Sequence, residues 1–154
     1  MNDIAPRLVH GTAVALGDVA ALFRGASGSG KSDLALRCLG LPAGSLIGQS
    51  ARLVADDQVI LTRDGSGLSV SAPPTIAGRL EVRGIGIIAV GAVTPARLAL
   101  VVDLVPPQSV ERMPEPGWCR IDGVDIAAIA LAPFEGSAAL KVLLCLRGVR
   151  AQNP

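Results

Sequence analysis

The sequence predicts one α/β domain, rich in strands and with only two helices, built around a phosphate-binding loop. Three observations predict it. Residues 25–32, Gly25-Ala26-Ser27-Gly28-Ser29-Gly30-Lys31-Ser32, fit the pattern G-x-x-x-x-G-K-[ST] without a gap, between an apolar run and a helix-like run. Half of the residues are hydrophobic but only 2% are aromatic, so the core must be built from Val, Ile, Leu and Ala. Eighteen Gly and eleven Pro imply many turns rather than a long helical bundle. A length of 154 residues suits one domain with its own core, placed at about residues 8–147 of 1–154.

The elements follow in order. His10-Gly11-Thr12-Ala13-Val14-Ala15-Leu16 alternates loosely and ends at the turn signal Gly17-Asp18. Residues 19–23 return as a strand, so a hairpin feeds the phosphate loop. A helix is expected over 31–39, stopped by Gly40. Residues 52–55 form a short apolar strand ending at Asp56-Asp57. Residues 59–62 and 68–71 flank Asp64-Gly65-Ser66-Gly67 as a second hairpin, and Ala72-Pro73-Pro74 breaks regular structure. The wholly apolar run 85–90 is expected to be a buried strand. Residues 97–105 form the next strand, interrupted only by Asp103. Residues 106–117, with four prolines, are expected to be a mobile loop. A late strand is predicted over 124–130, after the Asp122-Gly123 turn. A final helix is predicted over 138–146, with Gly136 and Ser137 at its start. Residues 151–154 are expected to fray.

Composition excludes some functions. A formal net charge of +1 and the scarcity of aromatic residues argue against a nucleic-acid partner. Mean hydropathy is +0.51. Yet the longest apolar stretches, 84–93 and 126–134, fall well short of the roughly 18–20 residues a membrane span needs, so no membrane partner is expected. No basic, apolar, small-residue leader opens the chain. Cys38, Cys119 and Cys145 form neither a C-x-x-C pair nor a metal spacing. They are expected to be reduced core residues of a cytoplasmic protein.

The loop chemistry follows from its residue types. Glycines Gly25, Gly28 and Gly30 let the backbone of Ala26, Ser27 and Ser29 wrap a phosphate with its N–H groups inward. The helix N-terminus adds its positive dipole end. Lys31 can reach the β- and γ-phosphates of a nucleotide, and Ser32 offers a hydroxyl to Mg²⁺. Phosphoryl transfer also needs carboxylates and a group to take the acceptor's proton. Asp56-Asp57 ends a strand, where side chains reach a ligand crevice in α/β sheets. Adjacent side chains on a strand point to opposite faces, so both reach the site only if the strand has ended. Glu81-Val82-Arg83-Gly84-Ile85-Gly86-Ile87-Ile88 places an acid and a base two apart, able to share one face of an extended segment. Without a function, Glu81 and Arg83 would be a surface ion pair, and Asp56-Asp57 a polar turn.

These segments resemble the catalytic domain of HPr kinase/phosphorylase, the bifunctional enzyme of the bacterial phosphotransferase system. The match is carried by His10-Gly11-Thr12 with the phosphate loop, by Leu53-Val54-Ala55-Asp56-Asp57, and by Leu80-Glu81-Val82-Arg83-Gly84-Ile85-Gly86-Ile87-Ile88, in that order. Ala72-Pro73-Pro74 also resembles the family. The resemblance covers roughly residues 8–147 and weakens after Val105. It implies a fold like that of phosphoenolpyruvate carboxykinase, with a mixed, largely antiparallel sheet. The absence of alternating helix–strand units supports this.

The resemblance implies an ATP- and Mg²⁺-dependent protein serine kinase acting on the phosphocarrier HPr or an HPr-like protein, with phosphorolysis of the phosphoserine as the reverse activity. Asp56 is implied as the catalytic base, with His10 near the bound phosphate and Arg112, in Val110-Glu111-Arg112-Met113, reaching in from a loop. Ser32, Asp57 and Glu81 are implied at the metal. A homo-oligomer is implied as well. The chain departs from the family in two places. The phosphate loop begins at residue 25, so a short form without the family's N-terminal domain is expected, similar to forms in some Proteobacteria. Before the last helix, Pro133-Phe134-Glu135-Gly136-Ser137 replaces a basic Gly-Arg-Asn-type turn. Two other readings use the same residues: a nucleotide-binding regulatory module without transfer, and a small-metabolite kinase. The first would not need Asp56, Asp57 and Glu81 together. The second needs a lid and acceptor pocket for which little chain remains.

Overall fold

The computed structural model describes residues 5–152. Strands β1 (Arg7–His10), β2 (Thr12–Leu16) and β3 (Val19–Arg24) lead into α1 (Lys31–Gly40). Strands β4 (Arg52–Ala55), β5 (Gln58–Asp64) and β6 (Gly67–Ser71) follow, then a 3₁₀ turn at Pro74–Ile76. The hairpin β7 (Arg79–Val82) and β8 (Gly86–Ala89) precedes β9 (Ala96–Leu104). A 3₁₀ turn at Pro107–Ser109, strands β10 (Gly117–Ile121) and β11 (Val124–Leu131), and α2 (Ala138–Gln152) complete the described chain.

Nine strands form one sheet, in the order β1-β5-β6-β9-β3-β2-β4, with β11 and then β10 branching from β9. Among the strands of the described residues β3–β9 and β9–β11 pair in parallel, and an isolated parallel bridge joins Leu53 to Ala92. The mixed, largely antiparallel α/β fold is thus the class expected.

The middle of the sheet is buried on both faces. Val14, Leu16, Val19, Ala21, Phe23, Leu100 and Val102 pack beneath α1 and α2. Their neighbours Ala13, Ala15, Ala20, Leu22 and Val101 pack against Val59 and Leu61 of β5 and Leu68 and Val70 of β6. The β5–β6 end therefore covers the face the helices leave open. Double burial explains why β2 and β3 read as continuous apolar runs.

Several expectations need correction. The strand expected over 10–16 is two strands. Gly11 separates them, and its N–H donates to the Asp57 carbonyl at 3.1 Å. A side chain there would meet Leu22 Cδ1 at 2.8 Å and the Phe23 carbonyl at 3.0 Å. The run 85–90 is buried on one face only and there in part: Ile85 is 77% and Ile87 69% exposed, while Ile88 and Val90 are half-buried against the core. Strand β8 pairs only with β7, so no layer covers its outer face. Residues 117–121, in part read as loop, form β10, which pairs with β11 around Asp122 (φ 48°) and Gly123 (φ 81°). The last helix runs on to Gln152, so 151 and 152 continue it, and residues 153–154 lie outside the described ones. Of the cysteines only Cys38 is in the core, where burial pushes its thiol up to about 12. Cys119 and Cys145 are half-buried.

Among the described residues no helix is long and apolar enough to cross a membrane.

Candidate active site

The loop between β3 and α1 takes the shape its glycines allow. Gly28 (φ 81°) and Gly30 (φ 97°) adopt left-handed backbone that disfavours side chains. The Ser29 N–H donates to the Ala26 carbonyl at 3.0 Å, closing the loop. A Cβ at Gly25 would lie 2.4 Å from Ser29 Oγ, a buried hydroxyl with no hydrogen-bond partner. Lys31 folds back over the loop, donating from Nζ to the carbonyls of Gly25 (2.8 Å) and Ala26 (3.0 Å). The first helical bond runs from the Leu34 N–H to the Gly30 carbonyl, so the amides of residues 31–33 have no partner within the helix. They point from a positive helix end toward the loop, which suits an anion.

Asp56 stands just past the end of β4 and is 6% exposed. Its Oδ1 accepts hydrogen bonds from Ser32 Oγ at 2.6 Å and from Thr12 Oγ1 at 3.0 Å. Its Oδ2 accepts the Glu81 N–H at 3.0 Å. Three separate segments, at the starts of α1 and β2 and in β7, thus converge on one carboxylate. Thr12 itself is fully buried and also accepts the Asp57 N–H at 3.3 Å.

The other residues singled out in the sequence are less enclosed. Asp57 adopts φ 67° and is exposed, so the strand has ended and the adjacent carboxylates part company. Glu81 reaches Asp56 through its backbone, with its side chain exposed. Arg83 lies in the β7–β8 turn rather than on an extended segment, and no ion pair joins it to Glu81 among the described residues. His10 ends β1 opposite Gln58 and is exposed. Arg112 is exposed between the 3₁₀ turn at Pro107–Ser109 and β10. No three His, Cys, Asp or Glu side chains among the described residues group as a metal site.

Sequence reasoning missed Thr12 as a partner of the carboxylate. In the sequence Thr12 stands out only as part of His10-Gly11-Thr12, and only the fold carries β2 beside β4. Sequence reasoning also missed the Arg24–Asp103 pair. That pair closes β3 onto β9 just before the loop with two bonds, at 2.9 and 3.1 Å, and holds the Arg24 guanidinium above its usual range.

The parallel strands β3, β9 and β11 deliver their following loops to one end of the sheet, where ligands sit in α/β folds. A cavity of about 610 Å³ lies instead at the other end of the sheet, where β6 and β11 diverge along β9. The phosphate loop, not that cavity, carries the recognisable chemistry.

Fold and loop together define a phosphate-loop α/β protein of mixed sheet. A family model described as the HPr Serine kinase C-terminal domain matches residues 3–114, and the chain belongs to that family. Relatives include an HPr kinase/phosphorylase of Geobacillus sp. (strain WCH70), 42% identical over 112 residues, covering 67% of this chain and 33% of the relative. Another, from Limosilactobacillus reuteri (strain DSM 20016), is 34% identical over 144 residues, covering 85% of this chain and 42% of the relative. The match therefore spans less than half the length of these curated relatives. The solved Hpr(Ser) kinase/phosphatase from Coxiella burnetii superposes with a TM-score of 0.78 at 22% identity. That match covers 95% of this chain and 97% of the Coxiella chain, and it establishes a shared fold.

Proposed function

We propose that the chain transfers the γ-phosphoryl group of ATP to a serine of HPr or an HPr-like phosphocarrier. The observation that carries this reading is the buried Asp56 carboxylate in contact with Ser32 of the phosphate loop. Family membership supports the reaction class, and the relatives' printed names support the acceptor.

An ionised carboxylate offers about four acceptor sites. Ser32, Thr12 and the Glu81 amide take three of them, leaving a lone pair on Oδ2. That lone pair takes the proton of the incoming serine hydroxyl, a poor nucleophile without a base. The serine oxygen bonds to the γ-phosphorus as the bond to the β–γ bridging oxygen breaks, releasing ADP. The amides of residues 31–33 and Lys31 stabilise the charge spread over the phosphoryl oxygens. In the reverse direction Asp56 activates inorganic phosphate, which attacks phosphoserine and gives pyrophosphate and free serine.

Mg²⁺ fits the donors present, which are hard hydroxyl and carboxylate oxygens, few enough that phosphates and water complete the shell. Ser32 would hold it, with the carboxylates of Asp57, next to Asp56 in the chain, and of Glu81, whose backbone amide touches Asp56. Bound there, it would neutralise charge on the transferring group. In this reading His10 lies beside the phosphate, and Arg112 reaches it when its loop closes over the site.

A protein acceptor rather than a small metabolite is supported by the surface beside Asp56. The β7–β8 hairpin, whose Glu81 amide touches Asp56, carries the exposed side chains of Ile85 and Ile87. Apolar side chains left in solvent next to a reaction centre suit a protein surface.

The test is transfer of radiolabel from γ-³²P ATP, with Mg²⁺, to purified HPr-like phosphocarrier of the same organism. Acid-stable phosphoserine on the carrier is the expected product. No labelled carrier from a protein that binds ATP tightly would overturn the kinase reading.

A further inference from the structure

We propose that Phe134 is the platform on which the nucleotide base stacks. The inference rests on the reading of residues 25–32 as an ATP site and adds where the base lies. Phe134 is one of two phenylalanines in the chain, yet it is 71% exposed, whereas Phe23 is fully buried. Its ring lies against the phosphate loop: a Cβ built on Gly30 would meet Phe134 Cε1 at 2.9 Å and Cζ at 3.0 Å. Glycine at position 30 therefore serves two purposes, a left-handed backbone (φ 97°) and room for this ring.

The ring is also held in place. Arg37 of α1 donates to the carbonyls of Pro133 and Glu135, the latter at 3.2 Å, so it pins the backbone on both sides of Phe134. Asp33 orients Arg37 at 3.0 Å, and Lys141 pairs with Glu135 at 3.0 Å. A fixed phenyl face with one side open to solvent has the form of a stacking surface, because little conformational freedom remains to be lost when a ligand covers it.

Topology gives the direction. Strand β3 carries the phosphate loop, with β2 and β4 on one side of it and β9 and β11 on the other. Asp56 follows β4, and Phe134 follows β11. A nucleotide whose terminal phosphate faces Asp56 must extend the opposite way past Gly30. Phe134 stands there. Every base has a π-face, so stacking alone gives affinity without strict choice of base.

The test compares two ligands, ATP and inorganic tripolyphosphate, by calorimetry on wild type, Phe134→Ala and Phe134→Trp. Phe134→Ala is expected to weaken ATP roughly tenfold. Tripolyphosphate, which has no base, is expected to bind it as it binds wild type, and Phe134→Trp is expected to restore ATP binding. Equal weakening of both ligands would overturn the proposal, because Phe134 would then only shape the loop. Unchanged affinity for both would also overturn it, as for a ring that meets a second protein chain, and would leave the ATP site standing. A wild type that binds neither ligand would overturn the ATP site itself, and the base platform with it.

Discussion

Asp56 and the β7–β8 hairpin are neighbours built in opposite ways. Asp56 is almost wholly buried and accepts hydrogen bonds from three segments of the chain. The hairpin is a two-stranded ribbon whose Ile85 and Ile87 face solvent. One bond joins them directly, from the Glu81 amide to Asp56 Oδ2. The hairpin's hold on the body rests on Leu80, fully buried in the core under the helices, with Val82, Ile88 and Val90 packed beside it. The contrast shows where the fold fixes geometry. The carboxylate and the phosphate loop are set by the sheet and α1, while the adjoining surface stays open to whatever meets it.

Substitutions can break that comparison. Leu80→Ala should cost about 2–5 kcal/mol of stability, the usual range for emptying a core leucine site. Chemical denaturation measures it, and a loss near zero would mean the hairpin is not anchored through Leu80. Thr12→Val sharpens the other half. It keeps the volume but removes a donor to Asp56 and the acceptor of the Asp57 amide. A loss of about 1–2 kcal/mol is expected, with slower transfer, because a polar group is left without its partner. Ile87→Ala should change stability by less than about 0.5 kcal/mol, as surface substitutions do, while weakening a protein acceptor. If Ile87→Ala destabilised as much as Leu80→Ala, the hairpin's two faces would not differ as described.

The sequence made the loop legible because its chemistry is local. Gly25 to Ser32 are consecutive, and strand and helix flank them. The Asp56-Asp57 position was legible for the same reason, as the end of an apolar strand. What local pattern cannot give is the layer that covers a strand. The apolar run 85–90 resembles the run within β9, yet β9 lies between β3 on one side and β6 and β11 on the other, whereas β8 has only β7. Hydrophobicity reports that a strand can be buried, not that another element arrives to bury it. Strand β10 had a usable signal in Asp122-Gly123, a pair that favours tight hairpins and implies a partner strand before it as well as after. Thr12 and Phe134 had no local signal of their role. Thr12 meets Asp56 across 44 positions, and Phe134 meets Gly30 only because β11 runs parallel to β9, and β9 to β3.

In the proposed reaction the phosphate loop binds the nucleotide and Asp56 moves the proton. The most direct test measures Mg-ATP affinity and serine phosphorylation together, in wild type and in Asp56→Asn. Transfer by Asp56→Asn is expected to fall roughly 10²–10⁴-fold, the usual contribution of a positioned base, with ATP affinity close to wild type. Loss of ATP affinity in parallel with transfer, in a variant that still folds, would contradict it and make Asp56 a nucleotide-holding residue.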